Sequence, residues 1–258
     1  MKALRAHKAK VVLAITLLGI LFTWYSTRET GKSPGEQGPR HNRVAAGRTG
    51  EATPAFDFYL LALTAHAAFC ADGRLRMQEC RVGADRPLVI HGLWPEKYEP
   101  RTYPRDCPAP PLQLEAGLEL ELADFMPGMS AGLHQHEWRE HGGCSGLDDD
   151  LYFRRTLDLA RRLDSALAAK LTTLAGRDTS AAELRETADL FQPGIGATFT
   201  LHCRAVRGAG ERPALFEVRQ CVDNDGPGGA PGTLLDCSKV RRRDQGCGAS
   251  FQVLGGPR

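Results

Sequence analysis

Eight cysteines, Cys70, Cys80, Cys107, Cys144, Cys203, Cys221, Cys237 and Cys247, constrain this chain more than any other feature. All follow an N-terminal segment that reads as an export signal, and an even set of cysteines in an exported chain reads as a disulfide framework. Lys2, Arg5, Lys8 and Lys10 precede an uncharged run from Val11 to Tyr25, the layout of a basic n-region followed by an apolar h-region. That run is shorter than the roughly 20 residues of a membrane-spanning helix. No clear small-x-small cleavage site follows it, so residues 1–26 are expected to be a signal peptide or an uncleaved anchor, with residues 11–25 offering membrane attachment. Residues 27–55 are rich in Gly, Pro, Ser, Thr and Arg and poor in aliphatic residues. They cannot offset the entropy of ordering and read as a flexible linker. From the residues alone the eight cysteines admit many pairings, and only the proximity of Cys70 and Cys80 suggests one. No pair has the CxxC spacing of a structural zinc site.

The remainder, residues 56–258, is long enough to bury a core of its own. A hydrophobic share of 42% with 25% charged residues excludes a collagen, a coiled coil or a wholly disordered chain. The formal charge is +2, but removing the four basic residues of the first 26 from the total of 33 leaves 29 against 31 acidic, a balance of −2. Such a body cannot hold nucleic acid by bulk electrostatics, so a polyanion needs a local site.

Phe56 to Thr64 and Leu88 to Trp94 are apolar runs that predict buried strands. Ala197 to Arg204 and Ala214 to Val222 continue the pattern, with Leu215, Glu217 and Arg219 alternating against Phe216 and Val218. The period then changes: Phe153, Leu157, Ala160, Leu163, Leu167 and Leu171 recur at helical steps behind the capping acids Asp148, Asp149 and Asp150. Ser180 with Glu183 opens a second helix, ended by Pro193 and Gly194. The fold class is α+β, a mainly antiparallel sheet flanked by helices and stapled by disulfides, with no internal repeat.

Two clusters carry chemistry. Ile90-His91-Gly92-Leu93-Trp94-Pro95 sets a histidine in an apolar run, and residues 136–144, His-Glu-Trp-Arg-Glu-His-Gly-Gly-Cys, set His136, Glu137 and His141 close together. If residues 134–141 are α-helical, Glu137 and His141 share a face while His136 and His141 diverge by about 140°. That argues against zinc, because a zincin needs His-Glu-x-x-His with its imidazoles four apart. Imidazoles from separate elements with a carboxylate beside them suit concerted proton transfer near neutral pH. Phosphodiester cleavage of RNA needs such a pair: a base for the attacking 2′-hydroxyl and an acid for the leaving 5′-oxygen. It also needs a partner for the phosphoryl charge.

At these clusters the sequence resembles the ribonuclease T2 family of secreted endoribonucleases. His91-Gly92-Leu93-Trp94-Pro95 matches the family's first signature, and residues 136–144 match its second, His-Glu-Trp-x-Lys-His-Gly-Thr-Cys. The similarity covers roughly residues 56–250. It implies cleavage of RNA, with broad base specificity, through a 2′,3′-cyclic phosphate to a 3′-phosphate, without metal or other cofactor, by a monomer in the periplasm or outside the cell. It implies His91 and His141 as the acid-base pair, His91 donating to the leaving group, with Glu137 polarising the phosphoryl group and His136 binding phosphate. Trp94 and Trp138 become candidates for stacking on bases, set against packing in the core. The family's cysteine arrangement implies Cys107 with Cys144, and Cys203 with Cys247 around Cys221 with Cys237.

Three positions depart from the family. Glu140 stands where Lys is usual, Gly143 where Thr is common, and Ala65-His66 where a tryptophan often occurs. An anion in place of a cation beside the developing phosphorane charge predicts a weaker enzyme, unless Glu140 faces solvent or a basic residue such as Arg139 compensates. The competing expectation is a catalytically weakened RNA-binding or interaction protein on the same fold. The dense basic run Lys239, Arg241, Arg242 and Arg243 is expected to be a solvated loop rather than an RNA contact.

Overall fold

In the first strand, β1 (Phe58–Ala65), the residues from Phe58 to Thr64 are all buried, as a run without polar alternation requires when both faces of a strand are covered. The computed structural model describes residues 55–72, 74, 77–81, 85–99, 102–207 and 209–256, which fall in the compact unit Ala45–Arg258. The expected signal segment and all of the linker but its last residue lie outside the described residues. Among the described residues no helix is long and apolar enough to cross a membrane.

β1 pairs antiparallel with β2 (Leu88–Glu96) on one side and with β5 (Ala214–Asp223) on the other. β4 (Phe199–Arg204) adds antiparallel to β5, and β3 (Arg177–Thr179) pairs antiparallel with β6 (Phe251–Val253). One parallel bridge, Ala214 to Gln252, joins β6 to β5. The sheet is thus mainly antiparallel, with the apolar strands at its centre.

Two irregularities in this sheet shape the site. Between β1 and β2 the register steps from Ala62 opposite Gly92 to Leu63 opposite Ile90, which leaves His91 as an extra, unpaired residue. Between β4 and β5 it steps from His202 opposite Glu217 to Cys203 opposite Leu215, leaving Phe216 unpaired. Such bulges bend the strand and re-aim a side chain. The second one breaks the simple alternation expected of β5: Glu217 is buried with Leu215 and Val218, whereas Phe216 is half-buried.

Around the sheet lie α1 (His66–Ala71), α2 (Ala116–Phe125), α3 (Leu133–Glu137), α4 (Asp149–Thr173) and α5 (Ala181–Phe191). The long helix α4 begins as its sequence predicts, with the Asp148 side chain accepting from the Leu151 N–H, and it buries the whole expected stripe from Phe153 to Leu171. Each such leucine contributes about 1.5–3 kcal/mol on burial. Its Tyr152 hydroxyl donates to the Leu93 carbonyl at 2.5 Å, fixing the helix against β2 beside His91. Ser180 caps α5 by accepting from the Glu183 N–H.

Four disulfides form: Cys70–Cys80, as proximity suggested, and Cys107–Cys144, Cys203–Cys247 and Cys221–Cys237, as the resemblance implied. The second binds the end of the histidine cluster to the chain after β2, so the two signatures are tied covalently as well as by packing. Gly143 lies beside it, and a Cβ there would meet the Cys107 carbonyl oxygen at 2.7 Å and the Ala109 Cβ at 2.8 Å. The approach leaves no room for a threonine side chain, which accounts for that departure as one of packing.

Candidate active site

His91 occupies the bulge of β2, where its imidazole leaves the pairing and turns toward β5. Its Nδ1 lies 2.7 Å from Glu217 Oε1, and its Nε2 lies 3.8 Å from Glu137 Oε1. Glu217 is itself held by Arg219, whose Nε and Nη2 donate to Oε2 at 2.8 and 2.6 Å. A carboxylate that is 4% exposed needs such partners, because an unpaired charge at that depth would be protonated or expelled. In the sequence Glu217 and Arg219 stand out only as members of a strand pattern. The signal was present as an acid inside an otherwise apolar strand.

The second cluster does not continue as an α-helix. After α3 the chain widens into a π-turn at Trp138–Gly142, marked by the bond from the Gly143 N–H to the Trp138 carbonyl. The wider turn replaces the α-helical spacing assumed between His136 and His141, and the charges of the two imidazoles oppose each other. Such π-turns occur often at functional sites.

Trp94 joins the halves. Its indole N–H donates to Glu137 Oε2 at 2.9 Å, and its ring lies 5.1 Å from the His91 ring and 5.6 Å from the His141 ring. Gly92 makes this contact possible, since a Cβ there would fall 1.9 Å from Glu137 Oε2 and 2.7 Å from Trp94 Nε1. Trp138 takes the other fate weighed for it. It is 2% exposed, donates to the Pro110 carbonyl and packs against Tyr152 and Phe153. Its faces are spent in the core, so the expectation that it stacks on a base is corrected.

The environments of the ionisable groups differ sharply. Burial opposes charge on His91, but the hydrogen bond to Glu217 and the charges of Glu137 and Glu217 outweigh it and raise the imidazole above its usual range. Burial pushes His141 down to about 4, with His136 and His91 adding repulsion that Asp106 only partly offsets. The buried His141 Nδ1 also has no hydrogen-bond partner. Burial lifts Glu137 up to about 7 against the pull of His91 and Trp94, and the like charges of Glu140 and Glu217 push the same way. Glu217 stays a carboxylate at about 2, because its bonds to His91 and Arg219 overcome the cost of burial.

His136 is exposed and lines a cleft of about 450 Å³, together with His91, Glu217, Leu133, Phe216, Arg74 and Arg204. His141 is not among its lining residues. Among the described residues, His66, Cys70 and Cys80 bring three ligand atoms within 4.8 Å of one another, but both sulfurs are spent in a disulfide. Of the basic run, Arg242 is structural, bonding Glu96 and the Lys97 carbonyl, while Lys239, Arg241 and Arg243 are exposed.

An α+β fold thus brings a carboxylate-backed imidazole from a strand and a desolvated imidazole from a helix end to one tryptophan, an arrangement able to carry acid-base chemistry. Residues 56–230 match the Ribonuclease T2 family, and the chain belongs to it. A ribonuclease from Aeromonas hydrophila is 32% identical over 149 residues, which cover 57% of each protein. Ribonuclease 1 of Arabidopsis thaliana is 26% identical over 197 residues, 70% of this chain and 80% of that protein. The solved structure of ribonuclease MC1 from bitter gourd seeds superposes with a TM-score of 0.59 at 25% identity, covering 76% of this chain and all of that one.

Proposed function

We propose that the protein is an endoribonuclease that cleaves single-stranded RNA in two acid-base steps without a metal. The observation that carries this reading is the meeting of two imidazoles at one tryptophan, His91 at 5.1 Å and His141 at 5.6 Å from the Trp94 ring, with Glu217 at hydrogen-bond distance from His91; that carboxylate helps raise His91, whereas burial lowers His141 to about 4. At mildly acidic pH, His141 is a free base and His91 an imidazolium. His141 takes the proton of the 2′-hydroxyl as its oxygen attacks phosphorus, and His91 gives its proton to the departing 5′-oxygen. The product is a 2′,3′-cyclic phosphate. In the second step water replaces the leaving alcohol, His91 returns as base and His141 as acid, and a 3′-phosphate remains.

His136 binds the phosphate from the cleft lining. Glu137, lifted to about 7, is partly a neutral acid near neutrality and donates a hydrogen bond to a phosphoryl oxygen, supplying part of what the usual lysine provides. Glu217, fixed by Arg219, holds His91 in one tautomer and keeps it charged, and Trp94 offers a face to a base. The cleft opens beside the acid His91 and away from the base His141, so it receives the nucleotide on the leaving side. Four disulfides suit an oxidising compartment, and export as a periplasmic or secreted monomer, with residues 11–25 as signal or anchor, completes the proposal.

Glu140 favours a second reading, an RNA-binding protein of weakened catalysis, because its charge adds to that of Glu137. The test is incubation of the oxidised full chain with mixed-sequence RNA in excess EDTA, beside His91→Ala and His141→Ala proteins. Cyclic phosphate ends from the unmutated protein alone support the enzyme. A folded protein that binds RNA and leaves it intact from acidic to neutral pH supports the second reading.

A further inference from the structure

We infer that the part of the cleft lined by Arg204 and Arg74 is a second phosphate site, for the phosphate that follows the leaving nucleotide. The inference rests on the ribonuclease reading for its orientation, since the cleft is lined by the group that protonates the leaving oxygen. Arg204 lies with its guanidinium carbon 3.5 Å from the centre of the Phe216 ring, and its Nη2 donates to Asp72 Oδ2 at 2.8 Å. Arg74 lies 4.7 Å over the Phe69 ring and donates to the same carboxylate oxygen at 3.1 Å. Two guanidiniums therefore share one carboxylate.

Each guanidinium has several N–H donors in a rigid plane and gives Asp72 a bond from a single nitrogen. Stacking on an aromatic face sets that plane in advance, which favours two-point binding of a phosphate over a mobile lysine's single point. The carboxylates lining the cleft are Glu79 and Glu217. Glu217 is matched by Arg219 and His91, and Glu79 is 8% exposed.

Phe216 is the unpaired residue of the β5 bulge, and its neighbour Glu217 holds His91. One backbone irregularity thus positions both the platform under Arg204 and the partner of the catalytic acid. The cleft volume, about 450 Å³, falls among those that hold ligands of nucleoside size, about 300–1,000 Å³. A nucleoside seated in this cleft beside His91 brings its own 3′-phosphate within the same lining as the arginines.

The test uses the full chain and a dinucleotide whose first sugar is 2′-deoxy, so that it cannot be cleaved, made with and without a 3′-terminal phosphate. The terminal phosphate is expected to tighten binding about tenfold, and Arg204→Gln is expected to remove most of that gain, with Arg74→Gln removing less. Binding of the analogue without the phosphate is expected to stay the same in both variants. Equal affinities in the unmutated protein, or a gain that survives both substitutions, would overturn the site. With the corresponding ribonucleotides, kcat/KM is expected to show the same preference. Failure to cleave either one counts against the ribonuclease reading, while the binding result still decides the phosphate site.

Discussion

The strand-borne and helix-borne halves of the site contain the same chemical group and set it in opposite electrostatic surroundings. His91 sits in a bulge of a buried sheet with Glu217 behind its Nδ1 and Arg219 behind Glu217. His141 sits on a π-turn, half-buried, with two imidazoles among its neighbours and an orphaned Nδ1. Burial disfavours charge on both. What separates them is the carboxylate at hydrogen-bond distance from His91. Acid and base are assigned by what stands behind each ring rather than by the ring itself.

The strongest way to break this comparison is to remove either imidazole. His91→Ala and His141→Ala are each expected to lower the rate of RNA cleavage about 10²–10⁴-fold, with circular dichroism unchanged, and the double variant to lose less than the product of the two. Next comes the contact that joins the halves. Gly92→Ala drives a Cβ into Glu137 and the Trp94 indole, and a misplacement of that size is expected to reduce kcat about 100-fold.

The sharpest test of the asymmetry is Glu217→Gln. In the unmutated protein kcat/KM is expected to rise with pH as His141 loses its proton near 4 and to fall as His91, raised from the ordinary histidine value, loses its own. Without the Glu217 charge the His91 pKa drops, so the falling limb moves to lower pH while the rising limb stays. A shift of about one unit means about tenfold less activity above the limb and little change at pH 5. The smallest effect is expected from Glu140→Lys, which removes a like charge near Glu137, lowers the Glu137 pKa and raises turnover a few-fold. An unchanged or lower rate would mean that Glu140 faces away from the phosphate or has its own role.

Much of this site was legible in the sequence because its residues sit in two short, dense motifs. His91, Glu137 and His141 converge as the motifs implied, Trp94 reaches both rings, and the apolar stripe of α4 follows its helical period. What escaped depends on contacts between distant segments. Glu217 lies 126 residues from His91, and only the register of β1, β2 and β5 brings them together. The π-turn escaped because residues 138–142 carry no pattern that distinguishes it from an α-helix. Trp138 shares its motif with the proposed catalytic residues, yet its neighbours Tyr152 and Phe153 arrive from α4 and take its ring into the core. A motif fixes which residues are near the chemistry, whereas packing decides which of them face it.

The central claim is the opposite protonation of the two histidines, and the most direct measurement is an NMR titration of the imidazole Cε1–H signals in the full chain, assigned with the His91→Ala and His141→Ala proteins. The account predicts one signal titrating above the ordinary histidine range, lost in His91→Ala and lowered by Glu217→Gln, and a second titrating near 4, lost in His141→Ala. Two signals titrating together near the ordinary value, or the reverse order, would contradict it.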